Sequence, residues 1–374
     1  MKISAIEAYG IACVEPNDYN RTRYTTIVRV RTDEGVSGWG EGITMWPEAT
    51  HAVVTLIEKG FKDLLIGEDP LQTEKLWHKM RSHVWWYGVG GLASFAVSAL
   101  DMALWDIKGR ALGLPVYQLM GGLVHEKLPA IASIHGKYAT HEENVGEIAS
   151  YIEEGYQGVK IGFGKKGQAI LGRDEAHDLE FVRRVRERIG YEKMFIIDIG
   201  NGIRWETPHA IRMARAYEEH RVLWLEEPFH PDRMDDYREL RQKTNIWIGA
   251  GEREWHPEGY RRLLESGTVD VFGIDPARAE GITGFLKIRE LIGSKGKIFN
   301  AHAWSTGITT AASLHLSVSS PHCLLLELKP LANPMQHELT VPAITHRDGW
   351  VFAPDAPGLG VEVDEAALRK YRLT

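Results

Sequence analysis

Short apolar runs that each end in a chemically active residue recur through the second half of the chain. Six of them lie between residues 195 and 327, and their ends are 23 to 28 residues apart. That interval accommodates one buried strand, one helix and two loops, so it predicts consecutive βα units that close a parallel barrel. The carboxyl ends of barrel strands share one face, where we expect the six end residues to surround one cavity. They are Asp198, Glu226, Glu252, Asp275, His302 and Glu327.

The first part of the chain has two other hydrophobic patterns. Apolar and polar residues alternate over residues 3–9 and again over 26–39, which predicts an antiparallel meander with one solvent-facing side. From about residue 49 to 120 the apolar spacing becomes helical and indicates a small bundle packed on that meander. Residues 82–91, rich in aromatic side chains and glycine, form either a corner between helices or part of a pocket wall.

These patterns divide the chain into two domains and a tail. The first barrel strand is expected near residues 128–133, and the second at 157–161, where it carries Lys160. We therefore expect an α+β capping domain at residues 1–125, a barrel at 126–340, and a tail at 341–374 that returns to the capping domain.

Composition narrows the function classes. The chain has 374 residues, 44% hydrophobic and 25% charged, with a net charge of −7 and a pI near 6.2. These values are typical of a globular protein and argue against a nucleic-acid partner. Cys13 and Cys323 are too few for a disulfide scaffold or a zinc cluster, so we expect two core residues in a reducing cytoplasm. Neither a signal peptide nor a membrane-spanning apolar run is evident, so no membrane partner is expected.

Three of the strand-end residues suggest a metal site. Asp198, Glu226 and Glu252 follow successive strands, and three carboxylates in one cavity repel one another unless a cation neutralises them. Oxygen ligands select a hard ion, which favours Mg²⁺. Taken singly, each acid is as well explained as a loop cap or an ion-pair partner. Glu227 follows Glu226 and points the opposite way on a strand, so the pattern assigns the inward position to Glu226.

The remaining strand-end residues suggest proton transfer. Asp275 and His302 end neighbouring strands, and a carboxylate that holds one imidazole nitrogen makes the other a general base. Considered alone, a histidine paired with a carboxylate more often has a structural role than a catalytic one. Glu327 is expected across the cavity from Lys160, where a protonated carboxylic acid donates a hydrogen bond to a developing oxyanion.

Two polar segments are candidates for a substrate-binding lid. The loop at residues 15–23 is dense in hydrogen-bond donors, and the segment 45–47 follows the strand that ends at Glu41. A solvated hairpin connection explains any one of these residues, whereas the whole set suggests a lid that grips a polar, anionic substrate. The candidate substrate-binding residues are Tyr19, Arg21, Arg23 and Trp46.

Several motifs resemble one family. They are Leu225-Glu226-Glu227-Pro228, Gly249-Ala250-Gly251-Glu252, Asn300-Ala301-His302, Val36 to Glu41, Ala103 to Gly109 and Pro357 to Gly360. They are similar to the mandelate racemase and muconate lactonizing enzyme branch of the enolase superfamily over nearly the whole chain. The resemblance implies a modified (β/α)7β TIM barrel with an α+β capping domain. It also implies Mg²⁺ held by Asp198, Glu226 and Glu252, a His302–Asp275 acid/base pair, and Glu327 as a hydrogen-bond donor to substrate.

The second barrel strand departs from the family pattern. Members with two bases carry Lys-X-Lys there, and the second lysine acts opposite the histidine. Here Lys160 is followed by Ile161 and Gly162, which puts Lys160 in the first, electrostatic position and leaves glycine in the second. A two-residue deletion would instead make Lys160 the second base, and the sequence leaves that register open. Lys165 and Lys166 are further candidates for a second base.

The sequence therefore predicts an enzyme acting on a small molecule. One clear base favours a Mg²⁺-dependent lyase that dehydrates an acid sugar, an aldonate or aldarate, to a 2-keto-3-deoxy acid. The alternative within enzymes is an isomerase, either an epimerase or a lactone cycloisomerase, that uses the same enediolate. If the chain were a carbohydrate-binding protein on a former enzyme scaffold, we would expect the loss of a metal ligand or of the acid/base pair. None of these residues is missing. We also expect a homo-oligomer, from dimer to octamer.

Overall fold

The computed structural model describes residues 1–165, 167–200 and 202–373. The capping domain begins with an antiparallel sheet of three strands in sequential order. A 3-10 turn at Pro16–Asp18 joins the first two strands, so the predicted lid loop is a tight hairpin end. The strands are β1 (Ile3–Glu15), β2 (Arg21–Thr32) and β3 (Ser37–Gly42).

Helices cover one face of this sheet, as the apolar spacing predicted. The longest helix packs so closely on β3 that a Cβ atom on Gly40 would lie 1.9 Å from the carbonyl oxygen of Ala99. The aromatic segment between the third and fourth helices is a surface corner, because Trp85 and Trp86 are exposed. The helices are α1 (Pro47–Thr55), a π-helical segment (Leu56–Phe61), α2 (Lys62–Leu65), α3 (Thr73–His83), α4 (Leu92–Leu112) and α5 (Val116–Leu119).

Eight parallel strands alternate with seven helices to form the barrel, which confirms the predicted fold class. Its strands are almost entirely buried, as their apolar composition requires. The strands are β4 (Leu128–His135), β5 (Gly158–Gly162), β6 (Met194–Asp198), β7 (Trp224–Glu226), β8 (Trp247–Ala250), β9 (Val271–Ile274), β10 (Ile298–Ala301) and β11 (Leu326–Leu328). The helices are α6 (His141–Glu153), α7 (Glu175–Ile189), α8 (Thr207–Glu219), α9 (Met234–Lys243), α10 (Pro257–Glu265), α11 (Gly281–Gly293) and α12 (Gly307–Val318).

Strand pairing follows chain order around the barrel. Ladders join each neighbour from β4 to β10, and β11 returns to pair with β4. No ladder joins β10 to β11 among the described residues; instead a bridge joins Phe299 to Cys323, just before β11, and the amide of Asn300 donates to Glu327. Strand β4 runs two residues beyond its predicted end, to His135. That extension brings one more side chain to the rim of the barrel.

The tail contacts both domains. It comprises α13 (Pro334–His337), β12 (Thr340–Val341), β13 (Trp350–Val351), β14 (Glu362–Val363) and α14 (Glu365–Tyr371). Strand β13 pairs with β4 of the barrel. Beyond it, the N–H of Val116 donates to the carbonyl of Gly358 at 2.9 Å and that of Leu373 donates to Gly10 at 2.7 Å. The tail therefore contacts the capping domain twice, through α13 against β1 before β13 and again beyond β13.

Buried carboxylates of the capping domain bind the starts of two barrel helices. Glu41 accepts hydrogen bonds from the backbone N–H groups of Thr306 and Thr309 at the start of α12. Asp101 accepts from the N–H and hydroxyl of Thr283, in the first turn of α11, at 2.8 and 2.6 Å. Each acceptor satisfies helix N–H groups that have no partner within the helix. The two helices directly follow the loops of Asp275 and His302.

Both cysteines are buried and unbridged, as predicted. Among the described helices, none combines the length and apolar character needed to cross a membrane.

Candidate active site

The six predicted residues meet at the carboxyl ends of the barrel strands. Asp198 and Glu226 are the last residues of β6 and β7 and pair in register. Glu252 lies two residues beyond β8, Asp275 and His302 directly follow β9 and β10, and Glu327 lies within β11. The period of the apolar runs thus places residues more than 120 positions apart around one cavity.

Lys160 links the two halves of this set. Its Nζ donates to Oε1 of Glu226 at 2.6 Å and to Oε1 of Glu327 at 3.0 Å. Burial alone would lower the pKa of Lys160, but these carboxylates hold it well above its ordinary value. The lysine is therefore a fixed positive charge between two carboxylates.

The carboxylates on β6, β7 and β8 form an oxygen-rich donor set. Burial and the charges of Asp198, Glu327 and Glu252 raise the pKa of Glu226, although Lys160 opposes them. Such mutual repulsion is what a bound cation relieves, so the donor set fits Mg²⁺. As the side chains stand, no three His, Cys, Asp or Glu residues in the described chain are arranged around a single ion position. Glu226 instead binds Lys160 and the indole N–H of Trp224, at 2.9 Å.

Glu226 and its neighbour Glu227 point to different sides of the barrel. Glu226 is directed inward to Lys160. Glu227 has a left-handed backbone, with φ of 44°, and its carboxylate pairs with Arg253. The structure therefore places Glu226 at the cavity and Glu227 outside it.

His302 and Asp275 form a hydrogen-bonded pair. Nδ1 of His302 lies 2.6 Å from Oδ2 of Asp275, and the other carboxylate oxygen accepts the N–H of Ala277 at 2.7 Å. Nε2 of His302 is 3.5 Å from Glu252, so this nitrogen faces the cavity. Burial by itself lowers the pKa of His302, but Glu252 and Asp275 raise it to about 9. The pair is thus arranged to take up a proton at Nε2.

Glu327 is a hydrogen-bond acceptor in this geometry, and its role as a protonated donor to substrate stays a prediction. Its carboxylate accepts from Lys160, from the amide of Asn300, and from the hydroxyl of Ser133 at 2.8 Å. Burial raises its pKa, but Lys160 and His302 together with these hydrogen bonds lower it below the ordinary value. Glu327 is an acceptor that fixes Lys160, because three donors already surround it.

The structure brings one of the four predicted lid residues to the cavity wall. Arg23 lines the cavity, pairs with Asp18 at 3.0 Å and lies over the ring of Trp304 at 4.9 Å. Arg21 is exposed beside the same aspartate. Trp46 is 56% exposed and lies outside the lining, where its neighbour Met45 takes the inward position.

Tyr19 lies behind the wall. Its hydroxyl donates to the carbonyl of Gly136 at 2.8 Å, and its ring stacks on His135 with centroids 5.9 Å apart. His135 stands between Tyr19 and the cavity, which it lines. Sequence reasoning missed His135 because the first barrel strand was expected to end before it.

Gly162 explains the arrangement of this part of the wall. A Cβ atom on Gly162 would lie 2.4 Å from Nδ1 of His135 and 3.0 Å from Cε of Lys165. The space where a second strand lysine would begin is therefore filled by these two side chains. Nζ of Lys165 ends 3.8 Å from Oδ2 of Asp198. Lys166, the other candidate second base, lies outside the described residues.

Two family profiles match the chain. The enolase C-terminal domain-like profile matches residues 144–367. The N-terminal domain profile of mandelate racemase and muconate lactonizing enzyme matches residues 18–121. Together they cover most of both domains.

Individual relatives are similar over almost their full length. D-galactarolactone cycloisomerase from Agrobacterium fabrum is 31% identical over 365 residues, which cover 94% of this chain and 92% of the relative. D-galactonate dehydratase from Ralstonia pickettii is 30% identical over 349 residues, 91% of this chain and 89% of the relative. The crystal structure of 3,6-anhydro-D-galactonate cycloisomerase from Zobellia galactanivorans is 32% identical, with a TM-score of 0.89 and 100% of both chains covered.

Proposed function

The chain belongs to the enolase superfamily, in the group of mandelate racemase and muconate lactonizing enzyme, and on that basis we propose that it is an acid-sugar dehydratase. The substrate is an aldonate or aldarate with hydroxyl groups on the two carbons next to its carboxylate. The product is the 2-keto-3-deoxy acid. D-galactonate dehydratases among the relatives support this reaction class.

Different residues of this chain carry out different parts of the proposed reaction. Lys160, fixed by Glu226 and Glu327, provides positive charge for the substrate carboxylate. His302 takes the α-proton at Nε2 while Asp275 holds Nδ1. The electrons of the broken C–H bond form a carbon–carbon double bond, and the β-hydroxyl leaves with its bonding pair. The proton held by His302 is then available to complete the water molecule, after which the enol becomes the ketone.

Asp198, Glu226 and Glu252 are the residues that would hold Mg²⁺, on which members of the superfamily depend. When bound, the ion supplies positive charge beside the substrate carboxylate and makes the neighbouring C–H more acidic. The carboxylates are ligands of the hard, oxygen type that Mg²⁺ prefers.

One observation carries the choice of dehydration: Gly162 occupies the strand position of a second lysine, and Lys165, the other described candidate base, ends 3.8 Å from the carboxylate of Asp198. Racemisation needs an acid and a base on opposite faces of the substrate, whereas elimination needs one base and a departing group. The pair of His302 and Asp275 is the one acid/base pair among the predicted residues.

A lactone cycloisomerase is the second candidate, because relatives of comparable similarity have that activity. The same proton abstraction then expels a ring oxygen in place of a hydroxyl. Both reactions use His302 and both end in a 2-keto-3-deoxy acid, so the substrate distinguishes them: an open-chain acid sugar loses water, whereas a cyclic one opens its ring.

The test is a screen of epimeric aldonates, aldarates and their lactones with Mg²⁺, with semicarbazide detection of the keto product and NMR of the best substrate. We expect a 2-keto-3-deoxy acid from an open-chain acid sugar. Turnover of the lactones alone, or an epimer as the only product, would replace dehydration by isomerisation. No turnover of any acid sugar would overturn both candidates.

A further inference from the structure

His135 forms part of the cavity wall without taking part in the chemistry above. It is the last residue of β4, and its ring packs between Tyr19, at 5.9 Å, and Trp304, at 4.9 Å between centroids. Its Nδ1 lies over Gly162 and has no hydrogen-bond partner among the described residues. Aromatic stacking thus fixes the ring in the space that the glycine leaves.

The surroundings keep this imidazole neutral. Burial lowers the pKa of His135 well below its ordinary value, and the positive charges of Lys165, Arg23 and Lys160 lower it further. A neutral imidazole has one N–H donor and one lone-pair acceptor. At neutral pH the ring is therefore both a donor and an acceptor.

The other polar side chains of the cavity wall are more limited in the hydrogen bonds that they can offer to a substrate. Arg23, Lys160 and Lys165 only donate, whereas the carboxylates of Asp198 and Glu252 only accept. The hydroxyl of Ser133 is already bonded to Glu327 and to the indole of Trp304, and His302 is the base. A sugar hydroxyl both donates and accepts, so a neutral imidazole matches it in either direction. We propose that His135 binds a secondary hydroxyl of the acid-sugar substrate and so helps to determine which sugar is accepted. The proposal rests on the function proposed above.

The test compares His135→Phe and His135→Asn with the wild-type enzyme on the best acid sugar from the screen. Phenylalanine keeps the ring between Tyr19 and Trp304 but removes both nitrogens. We expect kcat/KM to fall about 10- to 100-fold, mainly through KM, because a buried hydroxyl loses its partner. Asparagine restores part of the loss, since its amide donates and accepts.

His346→Phe is the matched control. Its ring packs against Tyr156, 4.1 Å between centroids, outside the cavity lining, so kcat/KM should not change. Thermal melting of each variant checks folding, and the asparagine variant decides the question if His135→Phe does not fold.

Analogues of the substrate that lack a single hydroxyl beyond carbon 3 separate recognition from packing, because the hydroxyls on carbons 2 and 3 are needed for the reaction itself. The analogue without the hydroxyl bound by His135 should be turned over equally by wild-type enzyme and His135→Phe, whereas the other analogues should keep the difference. Equal losses on every analogue, or wild-type kinetics in His135→Phe, would overturn the proposal while the dehydratase function stands. A wild-type enzyme inactive on all acid sugars would overturn both.

Discussion

Buried carboxylates occur in two regions of this molecule, and their partners differ. Between the domains, Glu41 and Asp101 accept hydrogen bonds from backbone N–H groups and hydroxyls at the starts of α12 and α11. In the site, Glu226 and Glu327 share one lysine, while Asp198 and Glu252 line the cavity. The first group is satisfied by neutral donors of the protein. The second consists of several carboxylates close to one another, two of which share the charge of Lys160.

This difference in partners suggests that the first group of carboxylates contributes to stability and the second to function. A carboxylate surrounded by fixed donors is stable where it stands, and removing it leaves those donors unsatisfied. Carboxylates that repel one another across a cavity are costly to bury, and that cost is recovered when a cation binds. Substitutions in the first region should therefore affect unfolding, and those in the second should affect turnover.

Glu226→Gln should have the largest effect. We expect turnover below detection and loss of Mg²⁺ binding in calorimetric titration, because an amide is a weaker ligand than a carboxylate. The melting temperature without metal should change little, because Lys160 keeps Glu327 as its charged partner and the repulsion among the carboxylates is reduced. Glu258→Gln, on the exposed surface of α10, is the control. Full activity of Glu226→Gln, or of the wild type in excess chelator, would contradict the metal assignment.

His302→Asn should reduce turnover by about 10²- to 10⁴-fold, the usual contribution of a general base. Exchange of the substrate α-proton in deuterated solvent, followed by NMR, should fall in parallel, while Mg²⁺ still binds because its ligands are elsewhere. If exchange continues at the wild-type rate and instead stops in Lys160→Ala, then Lys160 is the base and the other register of the second strand is correct.

Glu41→Ala should lower the free energy of unfolding by about 3 to 5 kcal/mol, because two helix N–H groups and several hydroxyls lose their acceptor. Glu41→Gln, which keeps one acceptor oxygen, should lose less. Urea titration measures both, with Glu58→Ala on the exposed surface as the control. An unchanged midpoint for Glu41→Ala would mean that the contrast between the two regions does not hold.

Asp101→Asn should have the smallest effect, and the effect should depend on pH. Burial raises the pKa of Asp101 to about 7, although hydrogen bonds from Thr283 oppose the rise. The stabilisation from a raised acid pKa is present below the unfolded value, about 4, and is lost as pH rises to about 7. Asparagine does not titrate, so the melting temperature of the variant relative to wild type should rise across that interval. A constant difference from pH 4.5 to 8 would show that Asp101 does not titrate there.

The sequence predicted the residues that follow a regular rule. The six strand-end residues were found because the barrel repeats one unit, and Glu226 was chosen over Glu227 because side chains alternate along a strand. The fold and the family are confirmed.

Other residues depend on contacts that no local pattern contains. Met45 faces the cavity instead of Trp46 because its backbone has φ of 60°, which a sequence without glycine there does not indicate. Glu41 was recognised only as part of a motif, since its partners are 264 to 268 residues away. His135 was missed because its ring occupies the space beside Gly162, on the neighbouring strand. The sequence around residue 135 does not indicate that contact.

In the hydrogen bonds that join the capping domain to α11 and α12, the acceptor is always synthesised before the donor. A ribosome synthesises Asp101 182 residues before Thr283, and Glu41 265 residues before Thr306. Both acceptors therefore exist before the helices that need them emerge, and domains made first generally fold first. The loops of Asp275 and His302 are consequently completed against a surface that is already present, so the last third of the barrel is assembled on the first third of the chain.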